Sequence, residues 1–251
     1  MNIKMVIPGL LTLTNLFAGS IAIVICFNGH LEKIYILMAI ALVSDFFDGF
    51  TARLMRSASP IGKDLDSLAD CVSFCLLPAC IIYKMIALYG STTPAGDCLF
   101  PSGYFSLFPF IIVLFGALRL AKFNNDGDKQ RYQFIGLPTP AMALFVLGYY
   151  FLCTNTNLRP FLIAWPTVLF ICVFISMIMV APIAIISFKL TTLRWNGNEF
   201  RYILIFISIV LIVILGKQSL AIIILCYIIL SLIKNLSEKG HEKLKNETGI
   251  F

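Results

Sequence analysis

The chain has 251 residues, of which 59% are hydrophobic and only 13% charged, with a mean hydropathy of +0.93. Those proportions exclude an ordinary soluble globular domain and point to a multi-span helical membrane protein. The net charge of +6 would suit a nucleic-acid partner, but the basic residues are scattered among short polar segments. Membrane orientation explains them better, and no nucleic-acid partner is expected.

In chain order, the apolar run after Lys4 lacks a cleavage pattern and is long enough to span, so span 1 is expected at residues 10–27 and span 2 at 34–52. Span 3 covers 66–88, span 4 104–121, span 5 137–152 and span 6 162–188. The last apolar region, 202–233, is too long for one crossing at about 1.5 Å per residue. Gly216-Lys217-Gln218-Ser219 interrupts it, giving spans 7 and 8. With the amino terminus in the cytoplasm, this count leaves only Lys33, Lys84, Arg159 and Lys217 of the 19 basic residues outside, a strong positive-inside bias. Merging spans 7 and 8 would put four tail lysines outside. The expected fold is therefore an all-α polytopic transmembrane bundle of about eight spans. The loop from Arg194 through Trp195 to Asn198 is read as cytoplasmic, and the charged tail from Glu238 as loosely ordered. Cys98 alone of the eight cysteines lies in a loop rather than an apolar run, and neither a disulfide framework nor a CxxC motif is visible.

The chemistry concentrates in residues 44–71, SDFFDGFTARLMRSASPIGKDLDSLADC. Carboxylates inside membrane-spanning sequence are costly and read by default as a functional site. Asp45 and Asp48 are three apart and Asp66 and Asp70 four apart, so each pair lies within about 60° on one helix face. Two such helices facing each other gather four anions that cannot all stay ionised without a counter-charge. Oxygen-only ligation favours one or two Mg²⁺ or Mn²⁺ ions over zinc. Pairing with lysine or arginine, or helix capping, is the structural alternative for any single aspartate, and a divalent-cation transporter is a competing function for the set. Gly49 and Ala52 permit close approach of a ligand or of a neighbouring helix, and Arg53 offers a planar cationic fork to phosphate oxygens.

The series Asp45, Asp48, Gly49, Ala52, Arg53, Gly62, Asp66 and Asp70, at these gaps, resembles the complete signature of the CDP-alcohol phosphotransferase family, integral membrane enzymes that transfer a substituted phosphate from a CDP-linked donor to an alcohol. The resemblance implies that Asp45, Asp48, Asp66 and Asp70 hold two divalent cations, that Asp70 also acts as general base, and that Gly49, Ala52 and Arg53 border the nucleotide. In-line displacement would then proceed across two cations about 3.5–4 Å apart. Ser59 is a plausible pyrophosphate donor, Gly62 is expected to let the loop turn into the next helix, and Asn15 with Thr12 is expected near the nucleotide or acceptor, or in interhelical hydrogen bonds.

Three further stretches, residues 7–19, 119–124 (Arg-Leu-Ala-Lys-Phe-Asn) and 134–140 (Phe-Ile-Gly-Leu-Pro-Thr-Pro), resemble the bacterial and archaeal phosphatidylserine synthases of that family. This implies CDP-diacylglycerol and L-serine as substrates among membrane lipid, CMP as product, a homodimer, and a prokaryotic inner membrane with the site at the cytoplasmic ends of spans 2 and 3. Serine's carboxylate needs a cationic partner, for which Arg119 comes first and Lys122 second. Lys129 and Arg131 in the same loop keep a phosphorylated acceptor, as in phosphatidylglycerophosphate synthesis, open. Residues 1–190 form the expected catalytic unit, 191–235 a carboxy-terminal hairpin and 236–251 a charged cytoplasmic tail.

Overall fold

Long apolar runs satisfy their own backbone groups only as helices when water is absent, and helices account for nearly all of the secondary structure here. The computed structural model describes residues 3–55, 59–90, 104–125, 134–186 and 198–248. Cys98, Lys129, Arg131, Arg194 and Trp195, all used above, lie outside them. The amino-terminal half is α1 (Ile3–Phe27), α2 (Ile34–Leu54), α3 (Pro60–Asp70), a π-helical segment (Cys71–Leu76), α4 (Leu77–Tyr89) and α5 (Ile111–Asn125), the last entered through a 3-10 segment. The rest is β1 (Phe134–Ile135), α6 (Thr139–Asn155), α7 (Arg159–Ile163), α8 (Trp165–Val180), β2 (Ala184–Ile185), α9 (Glu199–Leu215) and α10 (Ser219–Thr248).

Among the described residues, five stretches are long and apolar enough to cross a membrane: Val6–Phe27, Leu31–Leu54, Pro60–Tyr89, Tyr104–Asn125 and Glu199–Leu236, with α8 a shorter apolar helix. The last of the five is broken at Gly216, whose φ of 57° and ψ of −130° suit glycine alone. The break falls at the interruption read from sequence, and α9 and α10 pack against each other beyond it.

Several boundaries differ from the sequence reading. α3 begins at Pro60 rather than Asp66. Ser59 is extended and its Oγ accepts from the Gly62 N–H at 3.0 Å, so Ser59 caps the helix and Pro60 opens it. Gly62 accordingly lies inside the first turn and not in a loop. Span 6 stops at Val180, eight residues short of its expected end, because Ala181 precedes Pro182 and is driven out of the helical region (ψ 142°). The chain turns there into β2, which pairs antiparallel with β1, Phe134 opposite Ile185 and Ile135 opposite Ala184. This two-stranded ladder is the one departure from an all-α architecture among the described residues. At the other end, α10 continues as helix to Thr248, through the tail expected to be loose; Glu, Lys and Leu are good helix formers.

The core sits around α6, whose buried residues include Met142, Phe145, Val146, Tyr149 and Cys153 and which packs on α4 and α10. α9, by contrast, buries Leu204 alone and exposes Phe206, Ile209, Val213 and Ile214, a surface suited to lipid. α10 is fastened to β2 by residues four apart on one face. Tyr227 Oη donates to the Ile186 carbonyl at 2.9 Å, Ser231 Oγ accepts from the Ile186 N–H at 3.2 Å, and Asn235 Nδ2 donates to the Ala184 carbonyl at 2.6 Å. β1 carries this clasp to the turn that starts α6. There Gly136 (φ 76°) and Leu137 donate their N–H groups to the carbonyls of Ile183 and Ile178, Pro138 is the N-cap and Pro140 lies in the first turn.

α6 meets α10 at Gly148, where a Cβ would lie 2.2 Å from the Ala221 backbone nitrogen. Gly148→Ala is expected to force the helices apart and to destabilise the protein by about 1–3 kcal/mol, read as a lower thermal midpoint in detergent.

Candidate active site

α2 and α3 bring their aspartates together at the ends joined by the 55–59 connection. One carboxylate oxygen from each of Asp45, Asp48 and Asp66 lies within 4.8 Å of the other two. Asp48 and Asp70 are buried, Asp45 and Asp66 half-buried. No ion pair with a described lysine or arginine offsets them, and Asp66 Oδ1 is buried without any hydrogen-bond partner. Three oxygen donors at this spacing, one of them orphaned, fit a hard divalent cation. Structural pairing with a base, the alternative for each aspartate alone, is not observed among the described residues. Asp70 stands outside the close triad.

The first helix supplies what the aspartates lack. Thr12 Oγ1 donates to Asp48 Oδ2 at 2.7 Å, and Asn15 Nδ2 donates to Asp70 Oδ1 at 3.3 Å. Thr12 and Asn15 are three apart, hence on one face of α1, and both are buried (4% and 0% exposed). Interhelical hydrogen bonding, one of the two readings open for these residues, is observed for both.

A cavity of about 560 Å³ opens beside the triad. Pro8, Gly9 and Thr12 line it from α1, Asp48, Gly49 and Ala52 from α2, and Ser59, Gly62, Lys63 and Asp66 from the start of α3. A Cβ on Gly49 would meet nothing within 4 Å. Gly49 therefore leaves space for a ligand and is not a helix-packing glycine. Asn15 does not line this cavity. Arg53 is exposed at the end of α2 and its Nε donates to the Gly49 carbonyl of its own helix at 2.8 Å.

α5 closes the opposite side. Asn124 Nδ2 donates to Ser67 Oγ at 2.8 Å, and Lys63 Nζ donates to the Asn124 carbonyl at 2.5 Å. Further along, a Cβ on Gly116 would press on Cys75 Sγ. α5 thus runs antiparallel to α3 and the π segment, with Arg119 level with the residues just after Asp70. Arg119 Nε is buried and has no hydrogen-bond partner. Lys122 is exposed and faces a separate groove with Leu118, Ala121, Asn125 and Val180.

The π segment follows Asp70 directly. Pro78 has no N–H for the Phe74 carbonyl and its ring would crowd it; the widened turn, with the Leu77 N–H on the Val72 carbonyl, accommodates this. Such segments are frequent at functional sites. Sequence reasoning missed this segment and Asn124; Pro78, and the polar Asn124 closing an apolar helix, were the available signals.

A bundle of membrane-capable helices with three carboxylates able to hold a cation beside a ligand-sized cavity fits one class, the metal-dependent integral membrane enzymes. The sequence profile of the CDP-alcohol phosphatidyltransferase family matches residues 5–195, and the chain belongs to that family. Among its relatives, a CDP-diacylglycerol–serine O-phosphatidyltransferase of Helicobacter pylori (strain ATCC 700392 / 26695) is 31% identical over 82% of this chain and 81% of its own length. A protein of the same name from Bacillus subtilis (strain 168) is 33% identical over 76% of this chain and 98% of its own. An archaetidylserine synthase of Methanothermobacter thermautotrophicus is 34% identical over 57% of each.

Because Thr12 orients the Asp48 carboxylate from behind, Thr12→Val is expected to weaken Mn²⁺ binding about ten- to a hundredfold. Titration of the purified protein with Mn²⁺, followed by electron paramagnetic resonance of the free ion, measures this.

Proposed function

We propose that the protein makes phosphatidylserine, transferring the phosphatidyl group of CDP-diacylglycerol to the hydroxyl of L-serine with release of CMP. The observation that carries this reading is the cage of Asp45, Asp48 and Asp66 beside a cavity whose lining includes Gly49, Ala52 and Ser59; the serine specificity draws on the named relatives. Asp45, Asp48 and Asp66, with Asp70 at the edge, would hold two Mg²⁺ or Mn²⁺ ions. When bound, these supply charge neutralisation at the pyrophosphate and the leaving phosphate.

The residues do the rest. Gly49 and Ala52 form a smooth wall for the nucleotide. The Ser59 hydroxyl, which accepts from Gly62, still has its own proton to give a phosphate oxygen. Arg53 spends Nε on its own helix and keeps its terminal N–H groups for phosphate oxygens. Asp70 takes the proton of the serine hydroxyl as its oxygen attacks the lipid-bearing phosphorus and the bond to CMP breaks, Asn15 holding the carboxylate in place. Arg119, half-buried, with a buried Nε that lacks a hydrogen-bond partner and level with the residues just after Asp70, receives the serine carboxylate in preference to exposed Lys122.

In this reading eight spans cross a prokaryotic inner membrane with the amino terminus inside, and the site opens at the cytoplasmic ends of α2 and α3. There a soluble nucleotide head and lipid tails meet. Residues 1–190 are the catalytic unit of a homodimer, 191–235 the hairpin and 236–251 the tail.

CMP release from CDP-diacylglycerol, with Mn²⁺ or Mg²⁺ and in parallel with L-serine, glycerol 3-phosphate and inositol, tests the proposal. Release is expected with L-serine alone, and Asp70→Asn is expected to lower it by about 10²–10⁴. Release with another acceptor overturns the serine assignment; release with none overturns the reaction.

A further inference from the structure

Asn15, expected from sequence near the nucleotide or the acceptor or in interhelical hydrogen bonds, is fully buried, lies outside the cavity and touches Asp70. Its amide has one orientation available. A carboxylate offers acceptors only, so the NH₂ group faces Asp70, and the carbonyl oxygen is turned elsewhere. That oxygen, Asn15 Oδ1, is buried with no hydrogen-bond donor. The backbone is pinned as well, with the Asn15 carbonyl accepting from Ser73 Oγ at 3.0 Å. A buried acceptor held rigidly without a donor is uncommon, because desolvating it costs about 1–3 kcal/mol.

A second orphan stands at the same depth. α1 runs parallel to α3 and the π segment, with Asn15 on Asp70 and Gly19 on Ser73; α5 runs antiparallel, with Gly116 on Cys75 and Asn124 on Ser67. Arg119 therefore falls level with the turn that begins at Asp70, and its Nε is the unpartnered donor. Around one carboxylate stand a bare acceptor and a bare cationic donor. A hydroxylated zwitterion complements the three, hydroxyl to Asp70, carboxylate to Arg119 and ammonium to the free acceptor.

We propose that Asn15 is a specificity-determining residue for the acceptor, its Oδ1 receiving the ammonium of the amino-acid substrate while its Nδ2 holds Asp70. This rests on the serine reading above and adds what that reading lacks, the group that distinguishes an amino acid from other hydroxylated anions. A site built to pair with an ammonium rejects an analogue without one, because its own acceptor would then stay unpaired.

The test compares L-serine with 3-hydroxypropionate, which keeps the hydroxyl and carboxylate and lacks the ammonium, as CMP-releasing acceptors for the full chain. The wild type is expected to prefer L-serine in kcat/KM by at least about tenfold. In Asn15→Ala that ratio is expected to collapse, with the serine KM raised and the CDP-diacylglycerol KM unchanged. An equal fall in kcat for both acceptors at an unchanged ratio overturns the proposal, as does a rise confined to the CDP-diacylglycerol KM. A measurement on the wild type alone decides the matter if the variant does not fold. L-Alanine should compete with L-serine at least about tenfold better than propionate does, and equal inhibition overturns the proposal. Wild type that releases CMP only with a non-amino-acid acceptor overturns the serine reading first and the proposal with it, an outcome visible before any variant is made.

Discussion

Four carboxylates held within apolar helices repel one another in a medium that screens poorly, and most of this fold's local devices answer that one constraint. Charges a few ångströms apart interact far more strongly away from water than in it, and leaving a buried anion uncompensated is among the costliest arrangements a protein can adopt. No described lysine or arginine forms an ion pair with the cluster. α1 instead lends a hydroxyl to Asp48 and an amide to Asp70, neutral donors that orient the carboxylates without cancelling their charge. The remaining anionic field suits a hard divalent cation.

The division of labour among glycines follows from the same geometry. Gly19, Gly116 and Gly148 stand where a neighbouring backbone or side chain already fills the space, whereas Gly49 faces open volume. Small residues thus serve two opposite ends in one bundle. Some let helices pack closely, and Gly49, like Gly9 across the cavity, leaves the cavity wall clear.

How far the sequence could be read depended on whether a feature was local. The aspartate cage was legible because its spacing places each pair on one face regardless of what surrounds it. The break at Gly216 and the start of α6 at the prolines were legible for the same reason. Thr12 and Asn15 could be singled out as polar residues in an apolar helix, but which partner each meets depends on the docking of α1 on α2 and α3, which no local pattern encodes. The start of α3 was legible and missed: Ser59-Pro60 is a helix-start pair that the expected loop concealed. The pairing of β1 with β2 joins segments about fifty residues apart and left no periodic trace in two residues each. The four basic residues that stood against the charge bias are partly accounted for by the structure. Lys84 lies over Phe27, Arg159 over Tyr89, and Lys217 over Tyr35 and Phe151, so three of them are bound by aromatic faces.

The clasp between α10 and β2 has a consequence for biogenesis. Every aspartate, and Arg119 as well, is synthesised before α6, while the residues that fasten the start of α6 in place, Tyr227, Ser231 and Asn235, are synthesised after it. The nascent chain therefore carries its full complement of intramembrane charge through a period when its central helix is untethered. During that interval the acidic helices depend on α1, the first segment to be inserted, for their polar partners. The order of synthesis and the order of electrostatic need coincide: the helix that quiets the carboxylates is already in the bilayer when they arrive, and the one that locks the bundle comes last.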